Sequence, residues 1–155
     1  MRRSADFRSA PAAEGKGGDR KVNLESLRAW LEGYRLAWEG RDPEAASRLF
    51  AEDATYQETP FTQPLRGREA IQQYWTVVVV AAQEQIRFGY EVLALAEETA
   101  IAHWWASFTR VASRAQVSLD GIFLLTFGKN GLCKELREWW VRQDRVVQPL
   151  TVTEH

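Results

Sequence analysis

Cys133 is the one cysteine in 155 residues, so the chain has no internal disulfide and no cysteine metal site to offer. That fits a reducing compartment, and the cytoplasm is the expected location. An excess of charge is missing too: 20 Lys and Arg stand against 21 Asp and Glu, a formal net charge of -1. Nothing in that balance favours nucleic acid or an anionic membrane surface as a partner. The longest apolar run, from Thr76 to Ala82, falls far short of the roughly 20 residues that span a bilayer. There is no Gly-rich phosphate loop, no His-x-x-x-His pair and no Gly-x-Ser-x-Gly elbow. No metal and no cofactor is therefore expected.

What the chain does have is tryptophan: seven, most of them where periodicity predicts burial. Bulky core filling accounts for them, and so does the lining of a ligand cavity. Residues 1–20 carry Ala, Ser, Gly and mixed charge without apolar periodicity and read as a disordered tail. Arg2, Arg3 and Arg8 are followed by no apolar stretch for secretion. Asp6, Glu14 and Asp19 break the acid-poor pattern of an organelle transit signal. Residues 21–146 are expected to form one domain, followed by a short C-terminal tail, 147–155.

Asn23 is a helix N-cap, and Leu27, Trp30, Leu31, Tyr34, Ala37 and Trp38 then share one face as far as Gly40. Asp42 caps a short second helix with Pro43 at its first position, where a missing N–H costs nothing. A third helix follows Gly67 and presents Ile71, Tyr74, Trp75 and Val78; the strand-prone Val77 to Val80 leaves its end open.

Beyond Gln85 the texture changes to long alternating segments, roughly 85–96, 99–112, 115–127 and 132–142. Helices first and then a strand meander means α+β, with helices packed on one face of a curved antiparallel sheet. Parity puts Val117, Leu119, Gly121, Phe123, Leu125 and Phe127 on one apolar side. On the last strand Leu132, Leu136, Glu138 and Trp140 share one side, and Cys133, Arg137, Trp139 and Val141 the other. An outer face carrying Ile122, Leu124 and Trp139 is too apolar for water, so a homodimer through the back of the sheet is expected.

The run Leu49-Phe50-Ala51-Glu52-Asp53-Ala54-Thr55 is one of several connected motifs. Pro60-Phe61, Gly67-Arg68-Glu69-Ala70-Ile71 and Tyr74-Trp75 follow it, and Leu136-Arg137-Glu138-Trp139-Trp140 ends the series. Together they resemble the nuclear transport factor 2-like superfamily over about residues 24–142. The nearest flavour is the SnoaL-like group, which includes polyketide cyclases and has ketosteroid isomerases among its relatives. The resemblance implies a cone-shaped sheet wrapped around three N-terminal helices. From Tyr34 through Trp75 the pattern runs in register with those isomerases. Tyr34 then falls where they keep an oxyanion-donating phenol, and Glu58 where they keep the proton-shuttling carboxylate. Phe123 falls where they keep a second donor, a protonated aspartic acid. Losing one such donor typically costs about 10²–10³ in rate. Relatives that open epoxides use an arginine and two aspartates, and no such triad is apparent here.

Each candidate has two readings. Glu58 is a turn carboxylate before Pro60, or a general base at a cavity mouth; Tyr34 is a core tyrosine, or the donor to a developing oxyanion. Glu138, on an apolar side, pairs with Arg110, Arg142 or Lys134 at the rim, or sits protonated in a cavity. His103 precedes Trp104-Trp105, and alternation alone leaves open which of the three faces inward; extending the resemblance turns Trp104, Ala106 and Phe108 inward. The leading expectation is cofactor-free proton-transfer chemistry on a hydrophobic carbonyl compound, of the isomerase, cyclase or dehydratase type. Glu58 and Tyr34 would be catalytic, with Trp38, Tyr74, Trp104, Phe108, Phe123, Glu138 and Trp140 binding the ligand. The rival is a non-catalytic ligand-binding or adaptor dimer of the same fold.

Overall fold

Asn23 starts the first helix as expected. In the computed structural model, which describes residues 22–145, its side-chain oxygen accepts from the Ser26 backbone N–H at 2.8 Å, and the Ser26 hydroxyl closes a capping box. Helix α1 (Leu24–Glu39) buries Leu27, Trp30, Leu31, Tyr34, Ala37 and Trp38, the whole face that 3.6-residue periodicity picks out. Asp42 caps α2 (Pro43–Ser47) by accepting from Ala45 N–H at 3.0 Å. The tails expected at 1–20 and 147–155 lie outside the described residues.

Phe50 opens strand β1 (Phe50–Gln57), and a two-residue strand β2 (Leu65–Arg66) pairs back on it. Gly67, at φ 90°, turns the chain into α3 (Arg68–Trp75). That helix loosens into a π-helical turn, Thr76–Val80, at the valine run whose strand propensity opposes a helix. Four long strands follow: β3 (Gln83–Ala96), β4 (Thr99–Arg110), β5 (Gln116–Phe127) and β6 (Cys133–Arg145).

The sheet order is β2-β1-β6-β5-β4-β3. All neighbours are antiparallel except β1 and β6, which run parallel with Tyr56 opposite Leu136. This is the α+β architecture anticipated: a curved, mostly antiparallel sheet with three helices over its concave face. Parity holds along β5, where Val117, Phe123, Leu125 and Phe127 are buried and Leu119 packs against the core.

On β6 parity breaks once. Thr126 pairs with Glu135 while Phe127 pairs with Cys133, so Lys134 is an extra residue in a bulge. Cys133 therefore turns inward and is fully buried, against the outward position that strict alternation assigns it. Burial pushes its thiol up to about 12, so it stays a protonated core residue.

Candidate active site

The concave face closes around a cavity of about 170 Å³. Its walls include Tyr34 and Trp38 from α1, Tyr56 and Glu58 from the β1 end, and Tyr74 and Trp75 from α3. Val78 and Val79 come from the π-turn, and β4, β5 and β6 add Trp104, Phe108, Arg110, Leu119, Glu138, Trp140 and Arg142. The positions named from sequence are thus brought together with one exception. Phe123 is fully buried but lies behind the wall, stacked on Trp104 (5.3 Å) and edge-on to Tyr34 (5.2 Å). It supports the aromatic floor rather than lining it.

Each wall residue has a local reason for its place. Trp104 faces inward opposite Gly121; a Cβ at that glycine would come within 2.8 Å of the Trp104 ring. The Trp38 indole N–H donates to Gln83 at 2.8 Å, tying α1 to the start of β3. The Trp140 indole N–H donates to the Glu58 carbonyl at 2.9 Å, which pins the end of β1 against β6. The indole N–H groups of Trp75 and Trp104 are buried without an acceptor among the described residues. Such orphan donors cost about 1–3 kcal/mol each.

The polar groups form one connected set. The Tyr34 and Tyr56 hydroxyls are 3.0 Å apart, and Tyr56 in turn interacts with the Glu138 carboxyl. Tyr34 is 2 % exposed, and burial first, then the nearness of Glu138, holds its phenol well above the usual value, so it is a neutral donor. Glu138 is 6 % exposed; burial pushes its carboxyl well above the carboxylate range, and the charge on Glu58 adds to the effect. Tyr74 is likewise raised, by burial first and then by Glu58 beside it.

Among the described residues no ion pair engages Glu138. Lys134 pairs with Glu98 at 3.6 Å, Arg142 with Asp144 at 3.1 Å, and Arg110 lies over the Phe108 ring at 5.8 Å. The three cations considered as rim partners are thus engaged elsewhere, and burial favours the protonated form of Glu138. His103 points outward, as the resemblance implied, and meets Asp120 at 3.0 Å on the opposite face. No three His, Cys, Asp or Glu side chains gather as a metal-binding set among the described residues.

Tyr56 is the residue that sequence reasoning passed over. The signal was there: Ala54 and Tyr56 alternate on one side of β1 and are buried, and Glu58 follows at the next position of the same parity, one residue past the strand. Arg110 and Arg142 follow the same rule on β4 and β6, two places beyond Phe108 and Trp140.

Residues 27–136 match the SnoaL-like domain, and the chain belongs to that family. It is 28% identical over 123 residues to a steroid Δ-isomerase of Nocardioides simplex, covering 79% of this chain and 96% of that protein. An epoxide hydrolase/cyclase-like enzyme of pyran-ring formation in the polyether salinomycin superposes with a TM-score of 0.66 at 18% identity. That alignment covers 76% of this chain and 92% of the other. A hexachlorocyclohexane dehydrochlorinase shares the fold at 8% identity and a TM-score of 0.67, over 83% and 94% of the two chains. The family thus has isomerase and cyclase relatives on the nuclear transport factor 2-like fold.

Proposed function

We propose that this protein is a cofactor-free enzyme that moves a proton on a hydrophobic carbonyl compound. The observation that carries the proposal is the pairing of two carboxyls in unlike surroundings around one aromatic cavity. Glu138 is deep and neutral, whereas Glu58 is half-buried beside Tyr74. Environments that push two acids apart assign them opposite roles. Glu58 takes a proton from the carbon next to the carbonyl, and the C–H electron pair becomes the enolate double bond. The oxygen that gains charge is met by neutral donors from the Tyr34–Tyr56–Glu138 set. Where the substrate carries a β,γ double bond the enolate is a dienolate; return of the proton to its γ-carbon, with re-formation of the carbonyl, leaves the double bond conjugated and completes an isomerisation.

The likeness to a steroid Δ-isomerase supports this reading, and Phe123 qualifies it. Phe123 and Glu138 are direct cross-strand partners, so the neutral acid that Phe123 cannot supply from β5 is available one strand away on β6. The cavity itself weighs against an adaptor role, for which Trp38, Tyr74 and Trp140 would fill the cone.

The test is Glu58→Gln. In D2O, the protons beside the carbonyl of an enolisable ring ketone should exchange with the wild type. Exchange should fall by about 10²–10⁴ in the variant, with ligand affinity nearly retained. Undiminished exchange would remove Glu58 from the mechanism.

The working unit is a homodimer through the back of the sheet, where Ile101, Trp105, Trp139 and Val141 are exposed together. Trp139→Glu, which puts a charge into that face, should give a monomer by sedimentation. A wild type that is monomeric at micromolar concentration overturns the dimer. The folding unit is residues 21–146. A reducing compartment such as the cytoplasm agrees with the buried, unpaired Cys133, and no helix among the described residues is long and apolar enough to cross a membrane.

A further inference from the structure

The cavity is polar at both ends, and the two ends differ in chemistry. Its deep end holds the neutral hydroxyls and the protonated Glu138, all almost without solvent exposure. At the outer end the inward-facing positions of β4 and β6 finish in arginines: Arg110, half-buried, and Arg142, exposed, both on the cavity wall. Leu119, opposite Arg142 on β5, adds an apolar face beside it. Arg142 is oriented by Asp144. Arg110 is laid over the Phe108 ring and has no carboxylate partner among the described residues. A guanidinium held on the rim of an aromatic cavity is a preformed receptor for a planar anion.

Size limits what reaches the deep end. A dry cavity of about 150 Å³ takes up benzene. The 170 Å³ here suits one ring and its carbonyl, not four fused rings.

Resting on the proton-transfer reading of this site, we propose that the substrate class is a single-ring carbonyl compound bearing a carboxylate. The ring enters the aromatic walls with its carbonyl toward Tyr34, Tyr56 and Glu138. The carboxylate stays at the mouth on Arg110, with Arg142 in support. Arg110 is thereby a specificity-determining residue. It also offsets the repulsion that a second anion would feel from Glu58.

The test is calorimetric titration of the full chain with 3-oxocyclohexane-1-carboxylate, its neutral amide, and a four-ring steroid ketone. The acid should bind about 10-fold or more tighter than the amide, as expected for a hydrogen bond to a charged group. Arg110→Gln should abolish that preference by weakening the acid about 10-fold more than the amide, and Arg110→Lys should restore part of it. Arg142→Gln should cost less, and the steroid should bind more weakly than the acid. Equal binding of acid and amide overturns the proposal, as does equal loss of both in Arg110→Gln, tighter steroid binding, or no binding of either ring compound. Exchange of the ring α-protons in D2O separates the two layers. Acid preference without exchange defeats the proton-transfer reading and leaves the anion site standing. Exchange on acid and amide alike, with no preference between them, does the reverse.

Discussion

The two faces of the β4–β5–β6 sheet are built from alternate residues of the same strands, yet they hold their charged groups in opposite ways. On the concave face Glu138 is closed off by aromatic rings, and burial raises its carboxyl well above the ordinary carboxylate range. On the convex face Asp120 meets His103 at 3.0 Å in contact with solvent, and Arg137 lies over the Trp139 ring at 4.8 Å. Inside, burial decides the protonation state; outside, neighbours only adjust what water already permits. A side chain two residues along a strand inherits the same environment, and one residue along inherits the other.

The largest break in that comparison should come from Phe123→Ala. This ring, fully buried behind Trp104 and Tyr34, should cost about 3–5 kcal/mol in urea unfolding, because the neighbours cannot all collapse into its space. A cost below about 1 kcal/mol would mean that the aromatic floor is not packed as described.

Glu138 sharpens the comparison through pH. Below its ordinary value of 4.5 the folded and unfolded chains both keep the proton, and the group contributes no pH dependence. Above it the unfolded chain releases the proton and the folded chain does not, so this residue makes stability fall as pH rises toward the raised folded value. Glu138→Gln cannot ionise. Its stability relative to the wild type should therefore grow as pH rises above about 4.5, and a gap independent of pH would place Glu138 in water.

The smallest effect belongs to the convex face. Asp120→Asn should change monomer stability by less than about 1 kcal/mol, since its pair with His103 is solvent-exposed. A loss as large as that of Phe123→Ala would mean the two faces are not different in kind.

Much of this arrangement is legible along the chain. Asn23, Asp42 and Pro43 mark their helix starts by local hydrogen bonding, and the α1 stripe from Leu27 to Trp38 coincides with the buried face. Alternation on β5 is legible for the same reason: each side chain answers only to its own parity. Cys133 was not, because a bulge depends on how two strands match in length, and one extra residue at Lys134 inverts what precedes it. The end of the third helix, left open by the strand-prone valines, is a π-turn for a comparable reason: the valine run obeys the packing of Val78 and Val79 on the cavity more than its own propensity.

Periodicity and capping, which act over a few residues, were enough to determine the element order, the α+β class and the inward position of Glu138 and Tyr34. Whether Glu138 meets a cation or an acid depends on residues from β1 and α1, far from it in sequence. The fold alone decided that Tyr56 links it to Tyr34, that Phe123 stands behind the wall, and that a hollow remains. A proton's affinity for a side chain is set by what lies within a few ångströms, and only the folded chain brings those groups together.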